Sequence, residues 1–209
     1  MILLFTKSPE HGRVKTRLQP HIGAQKCLKL HAWLIRRAVA ALRQSGLLFS
    51  LYVDGSDSKV RSLFEDGLEG VPIYPQIGAD LGERMHNAIL QSAQAHSEVI
   101  VVGSDCVEMD ADQLVDAFHK LRSHEVVIAP AVDGGYTLIG ANSIAAARAE
   151  FRELFANIEW GTEKVFQQTQ CRIDLHNFGL SAMPTTRDLD TYEDLRAFSK
   201  FEPELRELL

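Results

Sequence analysis

Cysteine is scarce in this sequence, whose 209 residues include only Cys27, Cys106 and Cys171. The three are far apart and odd in number, and no C-x-x-C pair occurs, so neither a disulfide framework nor a zinc site is indicated. Unpaired, reduced thiols are typical of cytoplasmic proteins, and we predict that location.

Long apolar segments are also lacking. No run approaches the roughly 18 residues that a membrane-spanning helix requires, so we predict no membrane span. Residues 1–7 are too short for a signal peptide and have no basic leader, and we interpret them as the first strand.

An excess of basic charge is absent as well. The formal net charge is −6, which disfavours a nucleic-acid partner because such partners bind basic surfaces. Hydrophobic residues make up 45% of the chain and charged residues 24%, as in ordinary globular proteins. No repeat, linker or low-complexity stretch divides the sequence, so we expect a single domain over residues 1–209. The sequence leaves the oligomeric state open.

The most informative segment that is present covers residues 99–110, VIVVGSDCVEMD. Its four β-branched residues predict a strand buried on both faces. The chain then turns at Gly103 and presents the carboxylate of Asp105. Open α/β sheets bind ligands at the carboxyl ends of their strands, where a carboxylate suits a divalent cation that also holds phosphates. On this stretch alone, a turn residue or a helix cap explains Asp105 equally well.

A cationic loop follows the first strand. Lys7, Arg13, Lys15 and Arg17 place four cations within eleven residues, and glycine and proline keep the loop irregular. Such a loop can bind phosphates by charge and by bidentate hydrogen bonds, although a solvated basic loop is the common alternative. It has neither G-x-G-x-x-G nor Walker spacing, which excludes both of those phosphate-binding motifs.

Three turns carry further candidate groups. Gln76 follows a short strand and could bind a base edge, and Gly82 opens a helix whose free N–H groups suit an anion. Asp133–Tyr136 predicts a hairpin turn whose glycines could also form the floor of a pocket. Asp188 and Asp190 alternate, so extended backbone would point both in one direction. Ordinary turns and surface charge are the alternative interpretations.

Periodicity predicts alternating strands and helices. A capping box at Thr191 and Asp194 marks the start of the last helix. The predicted strands cover residues 2–6, 48–53, 71–74, 99–102, 125–131 and, less regularly, 171–178. The predicted helices cover residues 23–44, 58–65, 82–96, 111–121, 144–154, 162–169 and 192–201.

Together, these motifs resemble the glycosyltransferase-A-like nucleotide-diphospho-sugar transferases. The chain is most similar to a sparsely characterised bacterial family classed as glycosyltransferases, with relatives in arsenosugar gene clusters, and is also similar to phospholactate and molybdopterin guanylyltransferases. The resemblance covers residues 2 to about 200. It rests on Lys7-x-Pro9-x-x-Gly12-x-Val14-Lys15-Thr16-Arg17-Leu18, Leu81-Gly82-x-Arg84-Met85, Gly103-Ser104-Asp105-Cys106, Asp133-Gly134-Gly135-Tyr136 and Asp188-Leu189-Asp190-Thr191-x-Glu193-Asp194-Leu195.

The resemblance implies an α/β fold, a three-layer Rossmann-like sandwich with a mixed, mostly parallel central sheet. It implies a nucleotide in the N-terminal half and an acceptor in the C-terminal half. It also implies Mg²⁺ or Mn²⁺ held by Asp105 and Asp190, with Asp188 as the near alternative to Asp190. The strict metal motif is Asp-x-Asp, and here Val107 stands in place of the second acid.

The resemblance assigns roles to the remaining candidates. Lys15, Asp105 and Asp190 would be catalytic, because chemistry on a nucleotide diphosphate depends on neutralising charge. The nucleotide would lie against Lys7, Arg13, Lys15, Arg17, Gln76, Gly82 and Arg84, and the acceptor or sugar against Asp133, Gly134, Gly135, Tyr136 and Trp160.

Two reactions fit this arrangement. A sugar could move from a nucleotide-diphospho-sugar to a small acceptor, or a nucleotidyl group could move from a triphosphate to a phosphorylated acceptor. The cationic loop favours the second reaction, since a triphosphate needs more cations. The family resemblance favours the first, as does the lack of Lys or Arg between Arg122 and Arg148, and the first is the reaction that we expect. A non-catalytic nucleotide-binding protein is the third alternative, because fold does not fix function.

Overall fold

Seven strands form one mixed sheet in the computed structural model, which describes residues 1–209. The spatial order is β3-β2-β1-β4-β6-β5-β7. Strand β6 runs antiparallel to both of its neighbours, and all other pairings are parallel. The strands are β1 (Ile2–Lys7), β2 (Phe49–Asp54), β3 (Ile73–Pro75), β4 (Glu98–Gly103), β5 (Val126–Pro130), β6 (Tyr136–Asn142) and β7 (Leu180–Ala182).

Helices cover both faces of the sheet. A 3₁₀-helix over Ala149–Leu154 accompanies eight α-helices. None of them is long and apolar enough to cross a membrane. They are α1 (Gln19–Ser45), α2 (Asp57–Arg61), α3 (Leu81–Ala93), α4 (Ala111–Lys120), α5 (Ser143–Ala146), α6 (Val165–Leu175), α7 (Tyr192–Phe198) and α8 (Pro203–Arg206).

The two faces bury separate hydrophobic cores because successive strand residues point to opposite sides. On β1, Leu4 packs in the core that contains Leu42 of α1 and Leu114 of α4. Its neighbour Leu3 packs in the other core, with Ile89 of α3. This arrangement confirms the predicted three-layer sandwich with a mixed, mostly parallel sheet.

A third apolar cluster fastens the C-terminal segment to the start of α1. It contains Leu18 and Leu30 from the N-terminal part, and Leu189, Leu195 and Phe198 from the C-terminal part. Leu189 is fully buried. Because it lies between Asp188 and Asp190, its burial fixes the position of both acids.

The prediction of a strand-like run at residues 171–178 is wrong. Most of that run is the second half of α6, whose buried Val165, Thr169 and Ile173 recur every four residues as one helical face. The seventh strand follows as β7. The helix that was predicted from residue 162 begins at Val165 instead, and Thr162 Oγ1 donates to the carbonyl oxygen of Glu159.

Other boundaries differ by a few residues. Helix α1 begins before residue 23 and is kinked at Gly23, where φ is 77°. The predicted helix over residues 144–154 is two elements, α5 and the 3₁₀-helix, separated at the extended backbone of Arg148. The capping box of Thr191 and Asp194 is confirmed, although α7 ends at Phe198 rather than at residue 201.

Candidate functional site

Two cavities adjoin at the carboxyl ends of β1 and β4. The first has a volume of about 540 Å³ and is lined mainly by polar side chains. The second has a volume of about 270 Å³, and half of its lining residues are hydrophobic. They share Phe5, Arg17, Leu81, Gly103 and Asp190, so a ligand in one cavity would contact a ligand in the other.

Lys15 lies at the centre of the charged residues. Its Nζ donates to the carbonyl oxygen of Leu189 at 2.7 Å and to Asp190 Oδ1 at 2.8 Å, and lies 3.0 Å from Asp105 Oδ2. Its side chain is 3% exposed. Burial alone would lower the pKa of Lys15, but the charges of Asp105 and Asp190 outweigh it and raise that pKa, so the ammonium is charged at neutral pH.

Asp105 follows β4 and faces the first cavity. Burial acts to raise its pKa, but Lys15, with smaller contributions from His31 and Lys7, outweighs burial, and the pKa of Asp105 lies below its usual value. Behind it, Ser104 Oγ donates to Thr6 Oγ1 at 3.0 Å. Asp105 is thus a carboxylate held at a strand end, as the sequence predicts.

The imidazole of His31 lines the same cavity from α1. Its Nε2 lies 3.0 Å from the carbonyl oxygen of Lys7, and its buried Nδ1 has no hydrogen-bond partner. Burial lowers the pKa of His31. The imidazole is therefore neutral at pH 7, with Nε2 as donor and Nδ1 as a free acceptor.

Asp188 lines the second cavity and differs from Asp105 in its charge. Burial first, and then repulsion from Asp105 and Asp190, raise the pKa of Asp188 to about 7. Its backbone forms a β-bridge with Cys106. Asp188 is thus close to half-protonated at neutral pH.

The two predicted metal ligands, Asp105 and Asp190, both contact the ammonium of Lys15. Their side chains are 41% and 36% exposed and face the first cavity. No cluster of three or more acidic, histidine or cysteine side chains is preformed. Mg²⁺ in proteins is commonly bound by one or two carboxylates, with substrate phosphates and water completing the shell. Two carboxylates are therefore a sufficient protein contribution.

The predicted phosphate-binding cations all line the first cavity. Arg17 is 65% exposed, with its Nη1 3.8 Å from Asp190 Oδ2. Arg13 is 78% exposed and donates to Glu10. On the opposite wall, Arg84 pairs with Asp54 at 3.2 Å. With Lys7, these residues surround the cavity with positive charge.

The structure places Gln76 and Gly82 differently from the other candidates. Gln76 lines the first cavity, but its Nε2 donates to the carbonyl oxygens of Thr6 and Tyr52, which leaves only its own carbonyl oxygen for a ligand. Gly82 lines neither cavity. A Cβ at Gly82 would overlap the Trp160 ring and approach the carbonyl oxygen of Phe155 to 2.8 Å, so glycine permits this close packing.

The second cavity collects most of the predicted acceptor residues. Asp133, Gly135, Tyr136 and Trp160 line it. The rings of Tyr136 and Trp160 meet edge to face, with centroids 6.3 Å apart. Gly134 is outside the lining: its carbonyl oxygen accepts from the N–H of Phe166, and a Cβ there would overlap the backbone of Glu163.

The sequence interpretation missed two titratable residues of the first cavity. Asp54 is the last residue of β2 and lines the cavity. It carries the same signal as Asp105, a carboxylate at the end of an apolar strand. His31 lies on the buried face of α1, where periodicity does not distinguish a core position from a cavity wall.

The sheet order and the paired cavities define a nucleotide-diphospho-sugar transferase-like fold of the glycosyltransferase-A type. Residues 51–162, slightly more than half of the chain, match the family model described as "Uncharacterized protein conserved in bacteria (DUF2064)". The chain belongs to this family. A search of curated proteins gave no match.

Solved structures with similar folds support the same class. A "putative nucleotide-diphospho-sugar transferase" from Desulfovibrio desulfuricans G20 is 28% identical, with a TM-score of 0.86 over 95% of this chain and 85% of that one. CMP:2-keto-3-deoxy-manno-octonic acid synthetase complexed with CTP is 8% identical, with a TM-score of 0.61 over 98% of each chain. Rv0371C from Mycobacterium tuberculosis H37Rv, complexed with manganese, is 13% identical, with a TM-score of 0.58 over 96% of this chain and 99% of that one.

Proposed function

We propose that this protein is a metal-dependent glycosyltransferase that moves a sugar from a nucleotide-diphospho-sugar to a small acceptor. One observation carries the proposal: a cavity rich in cations and carboxylates opens, at Asp190 and Gly103, into an apolar cavity whose only basic lining residue is Arg17. The first suits a nucleotide diphosphate, and the second suits a neutral group.

In this proposal the chain is one domain with two functional halves. Residues up to Asp105 supply nearly all of the first cavity, which would hold the nucleotide. The second cavity, where the sugar or acceptor would lie, takes most of its lining from residues beyond position 132. Asp190 belongs to both cavities and would lie beside the bond that breaks.

Charge neutralisation would be the main catalytic contribution. Asp105 and Asp190 would hold Mg²⁺ or Mn²⁺, which would neutralise the diphosphate that leaves. Lys15 and Arg17 would stabilise the same developing charge from the loop after β1. The manganese-bound Rv0371C structure has a similar fold and supports a divalent cation in this class of protein.

Nucleotidyl transfer is the second candidate function. The five cations around the first cavity favour it, because a triphosphate carries more charge than a diphosphate. The acceptor of that reaction brings a phosphate of its own. The second cavity would have to hold that phosphate beside Asp133, Asp188 and Asp190, which is why we place glycosyl transfer first.

The two reactions release different products. The purified protein is incubated with Mn²⁺ and a panel of nucleotide sugars, and separately with the nucleoside triphosphates, and slow transfer to water is followed. Glycosyl transfer predicts a nucleoside diphosphate from one of the nucleotide sugars. Pyrophosphate from a triphosphate, with no turnover of any nucleotide sugar, would establish nucleotidyl transfer instead.

A further inference from the structure

The second cavity has an unusual balance of charge. Three of its lining residues are acidic, Asp133, Asp188 and Asp190, and Arg17 is its only basic one. Arg17 stands where the two cavities meet, largely exposed, with its Nη1 3.8 Å from Asp190. Its charge therefore belongs to the nucleotide side of the site, and the rest of the second cavity has no cation of its own.

Nearby cations on the adjoining segments are already paired elsewhere. Lys164 Nζ lies 3.1 Å from Glu159 Oε2. Arg187 Nη1 lies 3.9 Å from Asp194 Oδ1. Neither lines the cavity. A negatively charged ligand would find no counter-ion beyond the junction.

Half of the residues that line the second cavity are hydrophobic. Val101 and Ile139 come from neighbouring strands, and Met85 comes from α3. Trp160 is fixed between the edge of Tyr136 and the close approach of Gly82. At about 270 Å³ the cavity is slightly smaller than the sites that hold drug-sized ligands, so it suits a small ring or short chain.

We infer that the second cavity takes a small acceptor with an apolar ring or chain and no negative charge, either a neutral alcohol or an amine. The name acceptor rests on the proposed function; the charge preference rests on the cavity alone. A carboxylate or phosphate would lie close to the like charges of these acids, which costs binding free energy. An amine would be attracted by the same carboxylates, and a neutral alcohol would not be repelled by them.

Three probes that differ mainly in charge test the inference: 2-phenylethanol, 2-phenylethylamine and phenylacetate. The chain has two tryptophans, so Trp33→Phe leaves Trp160 as the single reporter of fluorescence. Titrations with each probe, in the presence of chelator and without nucleotide, give the three dissociation constants. Saturation-transfer NMR with the unsubstituted protein repeats the comparison in case Trp33→Phe disturbs folding.

We expect the amine and the alcohol each to bind at least about tenfold more tightly than phenylacetate. Asp133→Asn should reduce the difference between amine and anion, because the asparagine oxygen can still accept from the N–H of Gly135 while the charge is lost. Asp174→Asn is the matched control, since Asp174 is exposed on α6 outside both cavities and loses the same charge.

Phenylacetate binding as tightly as the amine would overturn the inference, as would the absence of binding by all three probes. Failure of the proposed function is measured separately, by calorimetry of nucleotide binding with Mn²⁺ and by the product assay. A protein that binds no nucleotide but still prefers the amine would refute the glycosyltransferase proposal and retain the charge preference.

Discussion

Lys15 Nζ lies 3.0 Å from Asp105 Oδ2, at the end of the central strand. The two residues are ninety positions apart in the chain, and the ammonium also bonds to Asp190. A fixed positive charge thus joins the two acids proposed to bind the metal. Only one oxygen of each carboxylate is taken by Lys15, which leaves Asp105 Oδ1 and Asp190 Oδ2 facing other groups.

Replacing Lys15 tests its double role. Lys15→Met should weaken nucleotide binding, more for triphosphates than for monophosphates, because each further phosphate adds charge for the loop to neutralise. It should also cost about 1–3 kcal/mol of stability, since the two acids lose a buried hydrogen-bonding cation. Calorimetry and urea denaturation measure the two effects.

Arg13→Met is the matched control for Lys15, because Arg13 is in the same loop but 78% exposed. The free energy of unfolding of Arg13→Met should differ from that of the wild type by less than about 0.5 kcal/mol. Equal loss of affinity for mono-, di- and triphosphates in Lys15→Met would show that Lys15 does not contact the distal phosphates.

Removal of the Asp105 carboxylate should abolish Mn²⁺-dependent nucleotide binding and leave the fold intact. The side chain is 41% exposed at a strand end and supports no core packing, so Asp105→Ala should retain the circular dichroism spectrum. Asp116→Ala, on the exposed side of α4, removes the same charge away from the cavities and should bind normally. Unchanged binding in Asp105→Ala would exclude Asp105 as a metal ligand.

The close packing at Gly82 gives a prediction about stability. Gly82→Ala should destabilise the protein by about 1–3 kcal/mol, because the new methyl group overlaps Trp160 and the carbonyl oxygen of Phe155. Trp160 should also move, which changes the fluorescence response to the probes. Gly179→Ala is the control, since its Cβ would meet nothing closer than 3.7 Å. A similar loss of stability in Gly82→Ala and Gly179→Ala would contradict this explanation.

Asp188 predicts a pH dependence of stability. Its pKa rises from 3.8 unfolded to about 7 folded. Between these pH values the folded state binds more protons than the unfolded state. The contribution of Asp188 to stability is therefore fully present below pH 4 and is lost as the pH rises through 7. We therefore compare the free energies of unfolding of Asp188→Asn and wild type in the presence of a chelator. The difference should favour the variant more at pH 8 than at pH 5. Parallel stability curves across this range would show that the pKa of Asp188 is not raised.

The sequence predicted the parts of the site that depend on local pattern. The β-branched run before Asp105 fixed a central strand, and the cationic loop after β1 lies beside it as expected. Leu189 explains why the alternation of Asp188 and Asp190 was informative, because a buried residue between two acids turns both toward one side.

Other features depended on contacts that no local pattern reveals. The hydrogen bonds from the Gln76 amide to the backbone of two strands are set by tertiary packing. Tertiary packing also sets the positions of Leu81 and Gly103, which line both cavities. Residues 171–178 were mistaken for a strand because, over so short a segment, their apolar positions fit the period of a strand as well as that of a helix. The helix is recognised only when the preceding residues back to Val165 are included.

The attachment of the C-terminal segment to the start of α1 has a consequence for synthesis of the chain. Lys15 is made early, whereas Asp190 and Leu189 are added some 175 residues later. All seven strands precede these two residues, so a growing polypeptide could assemble its sheet before the proposed site is complete. Until residues 189 and 190 are added, Lys15 would contact Asp105 but would lack its bonds to the carbonyl oxygen of Leu189 and to Asp190.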